Sequence, residues 1–220
     1  HSIGFHFLIL ISLVPLVRVL VSSKTIKESI LIGAIWGFSY VLTTIFWLAF
    51  NIGVPLLIGI ISMIAAVLFL LFNYICIAIL FYHFNTKITN SKIILLPIIW
   101  TSVEYLRSFF SLGFPWISLG NTQAYTHLVA QNAEFFGIYG ISFWIVLVNC
   151  LINKYFNDRS NLILYLISLV IIVPFFTGKI LENRVNFNLQ NNLNISVVQP
   201  NVHLNDKRKN GFEHENILNL

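Results

Sequence analysis

Few residues in this chain are of a type that could do chemistry, and several of them fall in one stretch. Between two apolar runs, residues 103–120 read VEYLRSFFSLGFPWISLG. Glu104 and Arg107 are three apart, so on a helix they share a face and can pair. Charge inside a membrane helix is costly and usually faces the protein interior or a water-filled cavity. The two are therefore either a working site or a structural ion pair that orients the helix. Gly113, Phe114, Pro115 and Trp116 follow, and glycine beside proline predicts a rigid turn. Trp116 suits the headgroup level, as an interfacial anchor. The continuation NTQAYTHLVAQNAEFFGIYG is uncharged except for Glu134. It is polar enough to line a vestibule where a lipid headgroup rests, or to be an amphipathic surface segment. Upstream, WGFSYVLTTIFW (36–47) sets Trp36, Phe38 and Tyr40 on several helix faces, for a lipid-facing groove or for simple packing.

Other reactive types give no catalytic pattern. Cys76 and Cys150 sit in apolar runs without a neighbouring base, where a thiolate is disfavoured, and they suggest no disulfide framework. The six histidines show no metal-ligand spacing and no HExxH. There is no glycine-rich phosphate loop and no Gly-x-Ser-x-Gly elbow. We expect no catalytic residue, metal or diffusible cofactor within these 220 residues.

The elements that carry the opening stretch are membrane helices. The chain is 57% hydrophobic and only 10% charged, with mean hydropathy +0.83; a soluble domain is nearer about 25% charged. The net charge of +5 is not gathered into a nucleic-acid-binding block. A span needs about 17–25 apolar residues. Six segments qualify: 3–21, 29–50, 55–83, 93–110, 137–152 and 160–178. Loops 22–28, 84–92 and 153–159 each carry basic residues, whereas 51–54 and 111–136 carry none. The positive-inside rule then puts the basic loops in the cytoplasm and residues 179–220 on the opposite side.

The tail is polar and asparagine-rich over 182–194, so 179–194 reads as a linker. ISVVQPN follows, a β-branched run closed by proline, which predicts one buried strand. A single strand makes no sheet, so 195–220 reads as the opening of a further domain. The chain starts at His1 rather than methionine, and we expect it to be cut at both ends.

LPIIWTSVEYLRSFFSLGFPWISLGNTQAYTHLVAQNAEFFGIYGISFWIVLVNCLI resembles apolipoprotein N-acyltransferase. The resemblance rests on Trp100, Glu104 to Arg107, Gly113 to Trp116, Leu119 to Gln123 and Gly137 to Gly140, in that order. GAIWGFSYVLTTIFW is similar to an earlier helix of the family, and ISVVQPN to the first strand of its nitrilase-like domain, with Gln199 and Asn201. The resemblance implies an all-α polytopic bundle in the bacterial inner membrane, followed by an α/β nitrilase-like domain on the periplasmic side. It implies transfer of an acyl chain from a phospholipid, through a cysteine thioester, to the diacylglyceryl-cysteine N-terminus of an apolipoprotein. The nucleophile, base and lysine of that reaction are expected beyond residue 220, so this part alone is expected to be inactive. No nucleic acid is implied, and we expect a monomer. Where the family tends to have Lys-Trp after its Gln-x-Asn, this chain has Lys207-Arg208. On the resemblance, Glu104, Arg107, Gly113, Phe114, Pro115 and Trp116 become candidates for seating a phospholipid. The rival readings are a small six-helix transporter, which needs polar residues converging at mid-depth, and a non-catalytic membrane scaffold.

Overall fold

The computed structural model describes residues 5–51, 54–87, 92–109 and 113–184, with Val197 and Gln199. Of the expected buried strand only Val197 and Gln199 are described, both without regular secondary structure and Val197 88% exposed; the rest of residues 195–220 lies outside the described residues. Eight α-helices are present among the described residues: α1 Ile9–Ser12, α2 Val14–Ser22, α3 Ile26–Ile45, α4 Leu56–Lys87, α5 Lys92–Arg107, α6 His127–Gln131, α7 Ala133–Asp158 and α8 Asn161–Arg184. Short 3-10 turns occupy Phe46–Phe50, Pro115–Ile117 and Leu119–Gln123.

Four of these units are long and apolar enough to cross a membrane: Ile26–Phe50, Leu56–Lys87, Ala133–Asp158 and Asn161–Arg184. The other two expected spans are shorter as helices. His6–Ser22 breaks at Leu13, where Pro15 opens α2. Helix α5 has 16 residues, about 24 Å at 1.5 Å per residue, and contains Pro97, Glu104 and Arg107. Helix α8 runs on to Arg184, so residues 179–184 of the expected linker are helical.

Local chemistry sets several of these boundaries. Thr25 caps α3 by accepting from the Glu28 N–H at 3.2 Å, and the Glu28 carboxylate accepts from the Lys24 N–H at 2.8 Å. This is the T-x-x-E pattern of a capping box, with the carboxylate reaching one residue past the cap to Lys24. Helices α3 and α4 form a close hairpin because Gly33 and Gly37 face α4. A Cβ on Gly33 would lie 2.8 Å from Ala78 Cβ, and one on Gly37 2.7 Å from Tyr74 Cβ. Small residues four apart let helix backbones approach where no hydrophobic effect drives them together.

Helix α7 is the centre of the bundle, touching α1, α2, α5, α6 and α8. Its Ile145, Val146 and Val148 are completely buried. Asn149 repairs the break in the first segment: its Oδ1 accepts from Leu13 N–H at 2.9 Å, and its Nδ2 donates to Ile9 O at 2.9 Å. Pro174 removes the donor that would satisfy Val170 O in α8. The indole N–H of Trp144 on α7 donates to that carbonyl instead, at 2.7 Å. In hydrocarbon, such substitutes are what makes a broken or bent helix tolerable.

The loops sort to two ends as their charge suggests. Tyr82 near the end of α4 donates to Lys24 O at 3.1 Å, so the 22–28 loop and the α4 C-terminus share one end. At the other end Trp47 stacks on Trp116, with centroids 6.3 Å apart, which brings the end of the α3 unit to the Pro115–Ile117 turn.

Candidate functional site

Glu104 and Arg107 lie in the last turns of α5 and are buried, at 1% and 6% exposure. Their shared helix face does not make them a close ion pair: among the described residues the salt bridges within 4.0 Å are His127–Glu182, Lys154–Asp158 and Lys179–Glu182. Each instead fastens the segment that follows α5. Glu104 Oε1 accepts from the Trp100 indole N–H at 3.0 Å and from the backbone N–H of Leu119 at 2.9 Å. Arg107 donates through Nη2 to Ser118 Oγ at 3.2 Å and through Nη1 to Tyr74 Oη at 3.4 Å. The helix end and residues 118–119 are thus bolted together through a carboxylate and a guanidinium.

Aromatic rings enclose this latch. Trp36 stacks on Tyr40 with centroids 5.0 Å apart, and meets Tyr74 and Trp100 edge-on at 5.3 Å each. These are favourable offset and edge-to-face geometries. Of the aromatics expected on α3, Trp36 and Tyr40 belong to this core, while Phe38 is 47% exposed. The Tyr40 hydroxyl donates to Ile117 O at 2.9 Å, a further tie from the cage to the loop.

The loop is fixed from its own side too. Phe114 N–H donates to Arg107 O at 3.3 Å, closing the chain back onto α5. Asn121 Nδ2 donates to Pro115 O at 3.1 Å and Trp116 O at 2.8 Å, which sets the shape of the turn. Gly120 N–H donates to Ser142 Oγ at 2.8 Å, and Gly120 sits where any Cβ would strike Ile138 O. Gln123, 1% exposed, donates to His6 O at 3.0 Å. The Leu119–Gln123 motif is therefore a docking strip against α7. Gly137 breaks α7 just beyond it, with φ 61° and ψ −173°.

What this arrangement presents is apolar. Gly113 and Phe114 are half-buried, Pro115 is exposed, and Trp116 is 66% exposed beside Trp47 at 44%. The six candidates thus divide into two buried charged residues that hold the loop and a turn that projects from it. Sequence reasoning overlooked Tyr74, Ser118 and Ser142. Tyr74 was the detectable one, a polar-tipped ring inside an otherwise apolar helix. Ser118 and Ser142 carry no local pattern that separates them from other serines.

Several other hydroxyls of the spans bond within their own helices. Ser39, Thr43, Thr44 and Ser168 each donate to a carbonyl of their own helix. Among the described residues no three His, Cys, Asp or Glu side chains are arranged to hold a metal ion. Cys150 is buried, and both cysteines are free thiols.

A family model described as the apolipoprotein N-acyltransferase N-terminal domain matches residues 1–151, which include the latch, its turn and most of the central helix. The chain belongs to that family. Proteins named apolipoprotein N-acyltransferase align with it from Rickettsia bellii, 25% identical over 210 residues, and from Chlorobaculum tepidum, 26% identical over 138. A third, from Geobacter metallireducens, is 44% identical over 64 residues. These alignments cover 90%, 59% and 29% of the chain, and 41%, 26% and 12% of the respective relatives. The chain thus spans less than half the length of the curated apolipoprotein N-acyltransferases it matches.

Proposed function

We propose that this chain is the membrane part of an enzyme that moves an acyl chain from a phospholipid to the N-terminal diacylglyceryl-cysteine of apolipoproteins. The supporting observation is the latch. Two buried charges at the end of α5 hold a turn with half-buried Phe114 and exposed Pro115 and Trp116 at the end of the bundle away from the basic loops. In the proposed orientation that end faces the periplasm of a bacterial inner membrane, with residues 195–220 opening a nitrilase-like domain above it. Glu104 and Arg107 act as positioning residues, and Trp116 with Phe114 lies against the lipid. Covalent acyl transfer needs a nucleophile, a base and an oxyanion donor, and these belong to the nitrilase-like part of the enzyme. Ser39, Thr43, Thr44 and Ser168 bond their own helices and so lend the transporter reading no support.

The test exchanges the aligned 210 residues of the Rickettsia bellii relative for those of this chain. Membranes bearing the chimera should N-acylate a diacylglyceryl lipopeptide, read by mass spectrometry. Trp116→Ala should lower the rate with membrane abundance unchanged, because the ring is 66% exposed and its stack on Trp47 lies at the surface. A chimera present at normal abundance that transfers no acyl chain refutes the proposal.

A further inference from the structure

A cleft of about 620 Å³ opens between α5, α6, α7 and α8. Its walls include Thr101, Phe136, Tyr139, Trp144, Val173 and Thr177. We infer that this cleft is a seat for one acyl chain of a membrane phospholipid, separate from the exposed Trp116 turn. Three observations carry it.

The first is the medium. Helices α7 and α8 are both apolar enough to span a membrane, and the rim residues Phe136 and Val173 are 74% and 44% exposed. A side-opening crevice between such helices is bathed by hydrocarbon, and the cleft falls within the usual size of a ligand site. The second is shape. Asn132 Nδ2 donates to Pro174 O at 2.8 Å and Asn132 Oδ1 accepts from the Thr177 hydroxyl, so α6 and the bent α8 are held as fixed walls. Such walls bind without first having to close.

The third is charge. The seam between α6 and α8 runs from Asn132 and Thr177 to His127 and Glu182. His127 Nδ1 is 3.6 Å from Glu182 Oε1, and Lys179 pairs with the same carboxylate. Five residues of helix separate Thr177 from Glu182, about 7.5 Å along α8. A chain lying in the cleft with its headgroup toward this end of α8 meets the mixed-charge Lys179–Glu182–His127 cluster. Both signs suit a phospholipid better than a free hydrocarbon or a neutral glyceride.

The inference does not depend on acyl transfer, so its test reads lipid contact. The full chain is reconstituted in nanodiscs containing phosphatidylcholine with a photoactivatable diazirine in one acyl chain. After illumination, adducts are mapped by peptide mass spectrometry. They should concentrate on residues 136–144 and 173–177. Val173→Trp, which fills the cleft, should reduce them several-fold, whereas Leu169→Trp, outside the lining, should leave them unchanged. Phe136→Ala keeps the Cβ, removes an exposed ring and should raise labelling on α7. Adducts spread evenly over the exposed faces of α3, α4 and α8, or unmoved by both Val173→Trp and Phe136→Ala, overturn the inference.

Discussion

Replacing Glu104 by alanine tests the latch most directly. The carboxylate accepts from two donors, Trp100 Nε1 and Leu119 N–H, and the residue is 1% exposed. Each buried donor left without an acceptor costs about 1–3 kcal/mol, so alanine should destabilise by about 2–6 kcal/mol. At about 2–4 °C per kcal/mol for a domain of this size, the melting temperature should fall by at least about 4 °C. Glu104→Gln separates hydrogen bonding from charge. Its amide oxygen can accept from both donors, while the negative charge near Arg107 is lost. If the latch works as an acceptor, Gln should recover most of what Ala loses. The assay is thermal unfolding in detergent with a thiol-reactive dye, since Cys150 is 6% exposed and becomes reachable only on unfolding. The reasoning fails if Ala melts within about 1 °C of the parent, since even one orphaned donor should cost more than that. It also fails if Gln falls as far as Ala, for then charge and not acceptance holds the loop.

The other predictions use the same unfolding assay. Trp144→Phe removes the donor to Val170 O and should cost about 0.6–1.7 kcal/mol, the range for interhelical hydrogen bonds in membranes. Adding Pro174→Ala should recover much of that loss, because residue 174 regains an N–H for the same carbonyl; no recovery would mean the indole acts only by packing. Gly137→Ala should cost about 1–3 kcal/mol through its backbone alone, because φ 61°, ψ −173° lies in a region essentially confined to glycine and no atom lies within 4 Å of a Cβ there. An alanine variant as stable as the parent would show that the break in α7 is not needed. Asn149→Leu keeps the volume but leaves Leu13 N–H and Ile9 O only their local partners, Ile11 O and Ser12 Oγ, and should cost about 1–3 kcal/mol. A smaller loss, read as an unchanged melting temperature, would mean water replaces the amide.

Long apolar runs were readable in advance because a helix in lipid needs only length and hydropathy. Helices α3, α4 and α8 fall on three of the expected segments, and the end of α8 moved because polar residues 179–184 extend a helix beyond the apolar stretch. The first segment was harder. Its composition is continuous, but Pro15 and a distant asparagine decide that it bends at Leu13. Glu104 and Arg107 stood out as costly charges, yet their spacing suggested partnership with each other. What they bond, a serine hydroxyl 11 residues on and a backbone amide 15 residues on, depends on how the loop folds back. No periodicity encodes that.

The asparagine clasp has a consequence for biogenesis. Leu13 is synthesised 136 residues before the Asn149 side chain that accepts its amide proton. At about 5–20 residues per second, translation takes roughly 7–27 s to supply that partner. For that interval the nascent first helix has only local partners at its bend, Ser12 Oγ for Ile9 O at 3.4 Å and Ile11 O for the Leu13 N–H. It must wait near the water-lined insertion channel or straighten until α7 emerges to release it into the lipid.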